Sequence, residues 1–376
     1  MPLPLISEAP LPDVVPDVVP DVAAGVAPGS KQLIDRLSAD GRLPLGDFET
    51  LLSSPSDEDR AYARDRAAQV ARRQFGNRVF VRGLIEFSSH CRQDCLYCGI
   101  RKSNRDAERY RLSPDDILAC CAQGYRLGYR TFVLQSGEDA RYPTEVVADI
   151  VRRIRAAYPD CAITLSIGER STEAYQQFFD AGADRFLLRH ETADSEHYGL
   201  LHTTGQTLQS RLACLSALKE IGFQTGAGFM VGSPFQTVHH LAKDLVFLSE
   251  LRPHMVGIGP FLPHHRTPFA DQPAGSVDLT LFILSLVRLM LPTVLLPATT
   301  ALGTARSGGR EAGIQAGANV VMLNLSPADL RPKYLLYDNK PVSGDAVELT
   351  ESVRQSLGRI GYDIVVDRGD HPKEIR

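Results

Sequence analysis

Eight short runs rich in β-branched and aromatic residues recur along the chain, at 79–87, 131–135, 162–167, 185–190, 225–231, 255–260, 294–298 and 319–324. Segments with helical periodicity separate most of them. Ser113-Pro114-Asp115-Asp116 reads as an N-cap, an N1 proline and two acids at the positive end of a helix that ends near Gly128. Val147, Ile150, Val151 and Ile154 form the apolar stripe of the next helix. Ser171 caps a third before Gly182, and Leu208, Leu212, Leu215 and Leu218 mark a fourth before Gly222. Eight strands alternating with helices predict an α/β fold, a complete parallel (β/α)8 barrel over residues 79–325.

The flanks differ in character. Residues 1–30 are rich in Pro, Asp and Val and predict a flexible arm. Residues 31–78 predict a helical extension: Leu33, Ile34 and Leu37 share a face, a second segment opens at Pro44, and a third runs over 57–75. Residues 326–376 predict a closing helix and a charged end. A chain of 376 residues that is 43% hydrophobic can bury a barrel-sized core. Its net charge of −4 offers no basic stripe for nucleic acid. The start lacks a secretory pattern, and Ser285, Arg288, Pro292 and Pro297 interrupt the longest apolar tract. A cytoplasmic protein with no membrane span is expected. Seven cysteines, an odd number, argue against a disulfide framework.

Three of those cysteines lie within eight residues, Cys91-Arg92-Gln93-Asp94-Cys95-Leu96-Tyr97-Cys98, on a loop directly after the first predicted strand. A tetrahedral zinc site would need a fourth ligand such as His90, and a conventional cubane would need four cysteines. The CxxxCxxC spacing instead fits a 4Fe-4S cluster with one iron free of protein. The spacing, with an aromatic before the last Cys and Gly99 after it, resembles the radical S-adenosylmethionine (radical SAM) enzymes. In that superfamily the free iron chelates the amino and carboxylate groups of SAM, and one electron cleaves the sulfonium to a 5′-deoxyadenosyl radical.

In a parallel barrel, chemistry gathers where strands end. After the second strand, Gln135-Ser136-Gly137-Glu138-Asp139 sets a glycine beside acids; it resembles the glycine-glycine-glutamate element that binds the SAM amino group, with Ser136 where the first glycine usually stands. An ordinary strand-to-helix turn would look the same. In the fourth strand Arg185, Leu187, Arg189 and Glu191 share a parity, so two guanidiniums face one way. In a lumen they need partners, either a carboxylate substrate or an internal ladder with Asp184, Glu169 or Glu191. Thr164, Thr299 and Thr300 could complete an anion pocket. The glycines of 226–232 lack the ribose-binding acid of a dinucleotide site and suit a flat surface for adenine, with Met230 beside it or as core filler. Cys120, Cys121, Cys161 and Cys214 read as buried small hydrophobes, and His264-His265 as a rim or surface pair.

Together GLIEFSSHCRQDCLYCGIR, ERYRLSPDDI, VLQSGEDARY, AGADRFLLRHET, TGAGFMVGSPFQT, MVGIGPFLPH, LPATTALGTARSGGRE and GANVVMLN resemble the radical SAM maturases of FeFe-hydrogenase, the HydE type, over about 78–324. Biotin synthase and methylornithine synthase are more distant in pattern. The resemblance implies that Cys91, Cys95 and Cys98 hold the cluster, that Tyr97, Ser136, Glu138, Glu191, Arg211 and Met230 lie near SAM, and that Thr164, Arg185, Arg189, Thr299, Thr300 and Met322 line the substrate cavity. It further implies a small sulfur-containing carboxylate or cysteine-iron complex as substrate, a role in assembling the diiron subcluster and its dithiolate, partner maturases, and an electron donor. The arm and the MLNLSP sequence after the eighth strand depart from the pattern, and the C-terminal cysteines that hold a second cluster in some relatives are absent. A methylornithine synthase-like or biotin synthase-like enzyme, or a non-catalytic iron-sulfur carrier, are the alternative readings.

Overall fold

The computed structural model describes residues 29–203 and 205–372; the predicted arm falls on residues 1–28, outside them, apart from its last two positions. Helices α1 (Ser30–Asp40), α2 (Leu45–Ser53) and α3 (Asp57–Phe75) form the lead-in. The Ser56 hydroxyl accepts from the Asp59 N–H at 3.1 Å while Asp59 accepts from Ser56, so a capping box starts α3.

Strand β1 (Arg78–Ser88) is followed by α4 (Pro114–Arg126), β2 (Thr131–Ser136), α5 (Thr144–Ala157), β3 (Ala162–Ser166), α6 (Thr172–Asp180) and β4 (Arg185–Leu187). Then come α7 (Ser195–Leu201), α8 (Leu208–Ile221), β5 (Gln224–Ala227), β6 (Met230–Val231), α9 (Val238–Leu251), β7 (Met255–Val256), β8 (Gly259–Pro260) and α10 (Val277–Met290). The chain continues through α11 (Thr300–Ala305), α12 (Gly309–Gln315), β9 (Val320–Asn324), α13 (Ala346–Arg359) and β10 (Asp363–Val365). The stripe of α5, Val147, Ile150, Val151 and Ile154, is buried against the sheet. Each such side chain contributes about 2 kcal/mol of apolar burial.

The sheet is parallel, in the order β1-β2-β3-β4-β5-β7, and β9 pairs with the other edge of that run at β1. Residues 294–298, predicted as the seventh strand, join β7 to β9 through single bridges, Met255 with Leu295 and Pro297 with Val320. Backbone bonds from Val256 N–H to Leu295 O (3.1 Å) and Ala298 N–H to Val320 O (2.9 Å) complete the ring. The eight predicted runs thus form the barrel wall, with three differences. The fourth strand stops at Leu187. The fifth and sixth each break, and their upper parts, β6 and β8, pair separately. Gly228 sits at the break with φ +152, and a Cβ there would meet Gly257 O at 2.0 Å, so the two backbones touch where no side chain fits.

The third difference is at the lower mouth. After α13 the chain adds β10 to the start of β1, and residues 367–371 then enter the barrel bottom. Arg368 donates to Asp184 (2.8 Å), Asp370 (2.7 Å) and Cys161 O (2.9 Å). Arg185 donates to Asp370 (2.7 Å), Arg368 O (2.8 Å), Thr131 Oγ1 (3.1 Å) and Gln224 Oε1 (3.1 Å).

Hydrogen bonds from Arg368 and Gln224, with the Arg185 charge, hold Asp370 down at about 2 although burial opposes its ionisation. A depressed carboxylate contributes stability above its ordinary pKa and loses it as pH falls toward the folded value. Asp370→Asn should therefore lower Tm at pH 7 by roughly 2 °C, the partly exposed pair being discounted for solvent screening. The gap between the two proteins should narrow at pH 3; calorimetry at both pH values checks it.

Candidate active site

The three-cysteine loop leaves the upper end of β1, and the rest of the molecule holds it by backbone. Arg92 N–H donates to Glu138 O (3.0 Å), Leu96 N–H to Leu201 O (2.9 Å), Gly99 N–H to Leu336 O (2.9 Å) and Lys102 N–H to Gln93 O (2.8 Å). Asp94 braces it from within, accepting from Arg101 Nε (2.8 Å) and from Ser103 N–H (2.9 Å) and Oγ (2.6 Å). Gly137 of the second-strand motif packs against the loop so closely that a Cβ would lie 2.4 Å from His90 O and 2.7 Å from Cys91 Cβ.

Cys91, Cys95 and Cys98 are unpaired, half-buried, and line one cavity of about 360 Å³ in the upper lumen. Burial raises all three thiols, and each adds to the next: Cys95 is pushed up to about 12 by burial and then by Cys91, and Cys98 rises through burial, Cys95 and Cys91. Thiols so arranged become thiolates only around a strongly positive centre, which is what a metal cluster provides. They do not converge on one point. Among the described residues, the group whose ligand atoms all lie within 4.8 Å of one another is His264, His265 and Asp338. A single zinc about 2.3 Å from each sulfur would bring the thiols nearer than that. The donor set fits a multi-iron cluster better than one ion.

Around the thiols stand the other residues expected near SAM. Glu138 accepts from Arg92 Nε (2.9 Å), Gln93 Nε2 (2.8 Å) and Glu169 N–H (3.1 Å). Ser136 turns its hydroxyl to Gly137 O (2.7 Å). Glu191 adopts φ +67, a strained conformation for a side-chain-bearing residue, and its Oε2 lies 3.1 Å from Arg189 without forming a hydrogen bond. Arg211 donates to Glu169 (2.6 Å) and to Arg189 O. Burial holds the His202 imidazole down at about 4, so it is neutral; its Nδ1–H donates to Tyr198 O (2.9 Å) and its Nε2 faces the Tyr97 hydroxyl at 3.3 Å. Tyr97 and Leu96 pack on Met230, Phe261 and Leu201, an apolar wall beside the loop.

The cavity continues downward. Arg189, Thr299, Thr300 and Met322 are in its wall. Thr164 does not appear in its wall, although it shares a face with Ser166, which does; its hydroxyl is buried without a partner. Arg185 does not line it either. In a barrel, paired residues climb or descend with strand tilt. The row Leu84, Val133, Thr164, Arg185, Gln224 runs from the cavity wall to the lower mouth, where Arg185 is locked to Asp370. The internal ladder, not a ligand, satisfies that guanidinium.

Arg82 is the lumen cation that sequence reading missed. It is 5% exposed, donates from one nitrogen to Met255 Sδ (3.1 Å), and leaves Nε and the other terminal nitrogen unpartnered. Burial, then the Arg185 charge, makes its ionised state costly. Its shared parity with Leu84 and Glu86 in β1 was the available signal. Glu86, also on that face, accepts from Asn324 (2.7 Å) and pairs with Lys340, whose ammonium also donates to Tyr334 O (2.9 Å). Tyr334, Tyr337 and Lys340, from the segment after the barrel, thereby cover one side of the cavity. His264 and His265 stack at 4.7 Å on the rim, and Asp338 accepts from the His265 ring at 2.8 Å.

Comparison with known proteins gives the family. Residues 85–248 match the radical SAM superfamily. The chain is 46% identical over 274 residues to the FeFe-hydrogenase maturase subunit HydE of Thermotoga maritima, covering 73% of this chain and 78% of that protein. It is 30% identical over 285 residues to 3-methylornithine synthase of Methanosarcina acetivorans, covering 75% and 79%. The crystal structure of methylornithine synthase superposes with a TM-score of 0.75 at 27% identity over 89% of this chain and 97% of that one. HydG, another maturase of FeFe-hydrogenase, superposes with a TM-score of 0.75 at 17% identity over 89% and 76%, a likeness of fold alone. With three thiols at one end of a barrel cavity and this degree of identity, the chain belongs to the radical SAM superfamily and, within it, to the HydE maturases of FeFe-hydrogenase.

Proposed function

We propose that Cys91, Cys95 and Cys98 hold a 4Fe-4S cluster by three of its irons, leaving the fourth for the amino and carboxylate groups of SAM, and that a small sulfur-containing carboxylate or cysteine-iron complex binds below it. The observation that carries this reading is a single cavity with raised thiols at its top and partnerless guanidinium nitrogens, of Arg82 and Arg189, deeper in its wall. A buried guanidinium with no carboxylate beside it, as at Arg82, calls for an anion, and Arg189 meets the single carboxylate of Glu191.

A 4Fe-4S cluster held by Cys91, Cys95 and Cys98 would supply the one electron that reductive cleavage of SAM requires, and with it radical chemistry on the substrate. Glu138 and Glu191 offer carboxylates to the SAM ammonium, and Ser136, Arg211 and Tyr97 frame the rest of it. The apolar wall of Met230 and Phe261 takes the adenine. Arg189, Arg82, Thr299 and Thr300 orient the substrate carboxylate, with Met322 beneath it. Thr164, just below the wall, is a hydroxyl reached only by a deep group. Arg185 has no place in this set. These residues position and exclude water; none is asked to move a proton. The product serves assembly of the diiron subcluster with partner maturases, and a separate carrier supplies the electron.

Anaerobic reconstitution followed by electron paramagnetic resonance with and without SAM, and chromatography for 5′-deoxyadenosine, tests the reading. A cluster signal that SAM leaves unchanged, with no cleavage, would overturn it. Cys91→Ala, Cys95→Ala and Cys98→Ala should each lose iron and cleavage, whereas Cys214→Ser, on α8 and outside the cavity, should retain both; iron analysis beside the cleavage assay separates these outcomes. Arg189→Leu should weaken binding of a thiazolidine carboxylate by about 2 kcal/mol, roughly thirtyfold, with SAM cleavage affected less. Calorimetric titration alongside the cleavage assay distinguishes the two effects. Arg82→Leu should raise Tm of the ligand-free protein, since it removes an unpaired buried charge, and diminish the Tm increase that the same ligand produces.

A further inference from the structure

Reductive cleavage consumes one electron per SAM, and no second cysteine motif of this spacing accompanies the first: the other four cysteines are Cys120 and Cys121 on α4, Cys161 just before β3 and Cys214 on α8. The electron has to arrive from outside. Transfer weakens steeply with distance, so its carrier has to rest against the loop that holds the cluster.

That loop has a charge unlike the rest of the chain. Residues 92–111 carry six cations (Arg92, Arg101, Lys102, Arg105, Arg109 and Arg111) against three acids, within a protein of net charge −4. All three acids are already engaged: Asp94 by Arg101 (2.8 Å), Asp106 by Arg266 (3.2 Å) and Glu108 by Lys333. Two of those partners, Arg266 and Lys333, are brought from other parts of the chain. The neighbouring Glu138 and Asp139 are buried and paired with Arg92 and Arg111. Lys102, Arg105 and Arg141 remain exposed, and among the described residues no carboxylate pairs with them.

Their position is fixed. Lys102 is tied to the cysteine loop through its N–H on Gln93 O. Arg109 sets the shape of the stretch between, donating to Ile100 O (2.8 Å), Arg101 O (2.7 Å) and Asn104 O (3.0 Å). Arg141 N–H donates to Asp139 (3.0 Å), which the Ser88 hydroxyl holds at 2.6 Å at the upper end of β1. Three exposed, unneutralised cations thus stand on segments tied to the cluster loop.

We propose that Lys102, Arg105 and Arg141, with the exposed Arg92 beside them, form the docking surface for an acidic, low-potential one-electron carrier protein. The inference rests on the radical SAM reading of the site. One electron passes from the carrier, which is oxidised, to the cluster, which is reduced, and is then consumed in breaking the sulfonium carbon–sulfur bond. Complementary charge steers the encounter and sets its orientation.

The test uses the reconstituted holoprotein with a bacterial flavodoxin as probe, beside dithionite as a small reductant that needs no docking surface. In the triple variant Lys102→Glu, Arg105→Glu and Arg141→Glu, flavodoxin-driven formation of 5′-deoxyadenosine should fall about tenfold or more, while the dithionite-driven rate stays within about twofold. Flavodoxin affinity, read by biolayer interferometry between low and high salt, should be salt-sensitive in the parent and lose that sensitivity in the variant. Equal loss with both reductants would mean a structural effect and overturn the proposal. So would an unchanged flavodoxin rate, or parent binding that ignores salt. Absence of cleavage by the parent with dithionite would instead sink the radical SAM reading itself, and the binding measurement still decides whether the surface is used.

Discussion

A closed parallel barrel has to hydrogen-bond every strand on both edges, and it can do so only when the strands are tilted and staggered. Most of what this protein does with charge follows from that stagger. Residues paired side by side do not lie at one height, so the row from Leu84 to Gln224 descends from the cavity wall to the lower mouth. Arg185 and Arg189 stand four residues apart near one strand and meet opposite ends of the lumen.

The two ends treat their guanidiniums differently. At the bottom, the chain brings its own carboxylates: Asp370 and Asp184 neutralise Arg185 and Arg368, and the surrounding carbonyls use the remaining donors. Such a satisfied network contributes to a unique structure and has little to offer a ligand. Higher in the lumen, Arg82 has no carboxylate beside it, and Arg189 has only Glu191 at 3.1 Å, with guanidinium nitrogens of both left without a hydrogen bond. Leaving a guanidinium unpaired in a cavity, as Arg82 is, is costly unless an anion meets it. At the top, burial raises all three thiols, with neighbouring thiols adding to it at Cys95 and Cys98 and Glu138 at Cys91, so that end too favours a positive centre that the chain does not contain.

Positioning such groups requires a rigid frame. The cysteine loop is tied by backbone to β2's loop, to α7 and to the segment after β9. That last segment also sends Lys340 to Glu86 and places two tyrosines on the cavity. Outside, the same loop turns unpaired cations to solvent. Its inner face carries three thiols suited to a positive centre, and its outer face suits an anionic visitor.

The residues alone were enough to place eight strands and the loop that carries Cys91, Cys95 and Cys98, because alternation and thiol spacing are local properties of the chain. They also showed that Arg185 and Arg189 share a face, since parity along a strand is local too. Height in the lumen was beyond them: it depends on the register and tilt of all eight strands together, which separated those two arginines and left Thr164 just below the cavity wall. The breaks in the fifth and sixth strands fall where Gly228 meets Gly257 across the sheet, a contact between segments far apart in sequence. Arg82 was within reach of the same parity argument, yet its lack of a partner was not, because pairing depends on residues far away in sequence. Only the tertiary structure brought Lys340 onto Glu86, 254 residues away, and Asp370 onto Arg185, 185 residues away. Sequence patterns set what each segment is, while long-range contacts decide which buried charges are answered from within and which wait for a ligand.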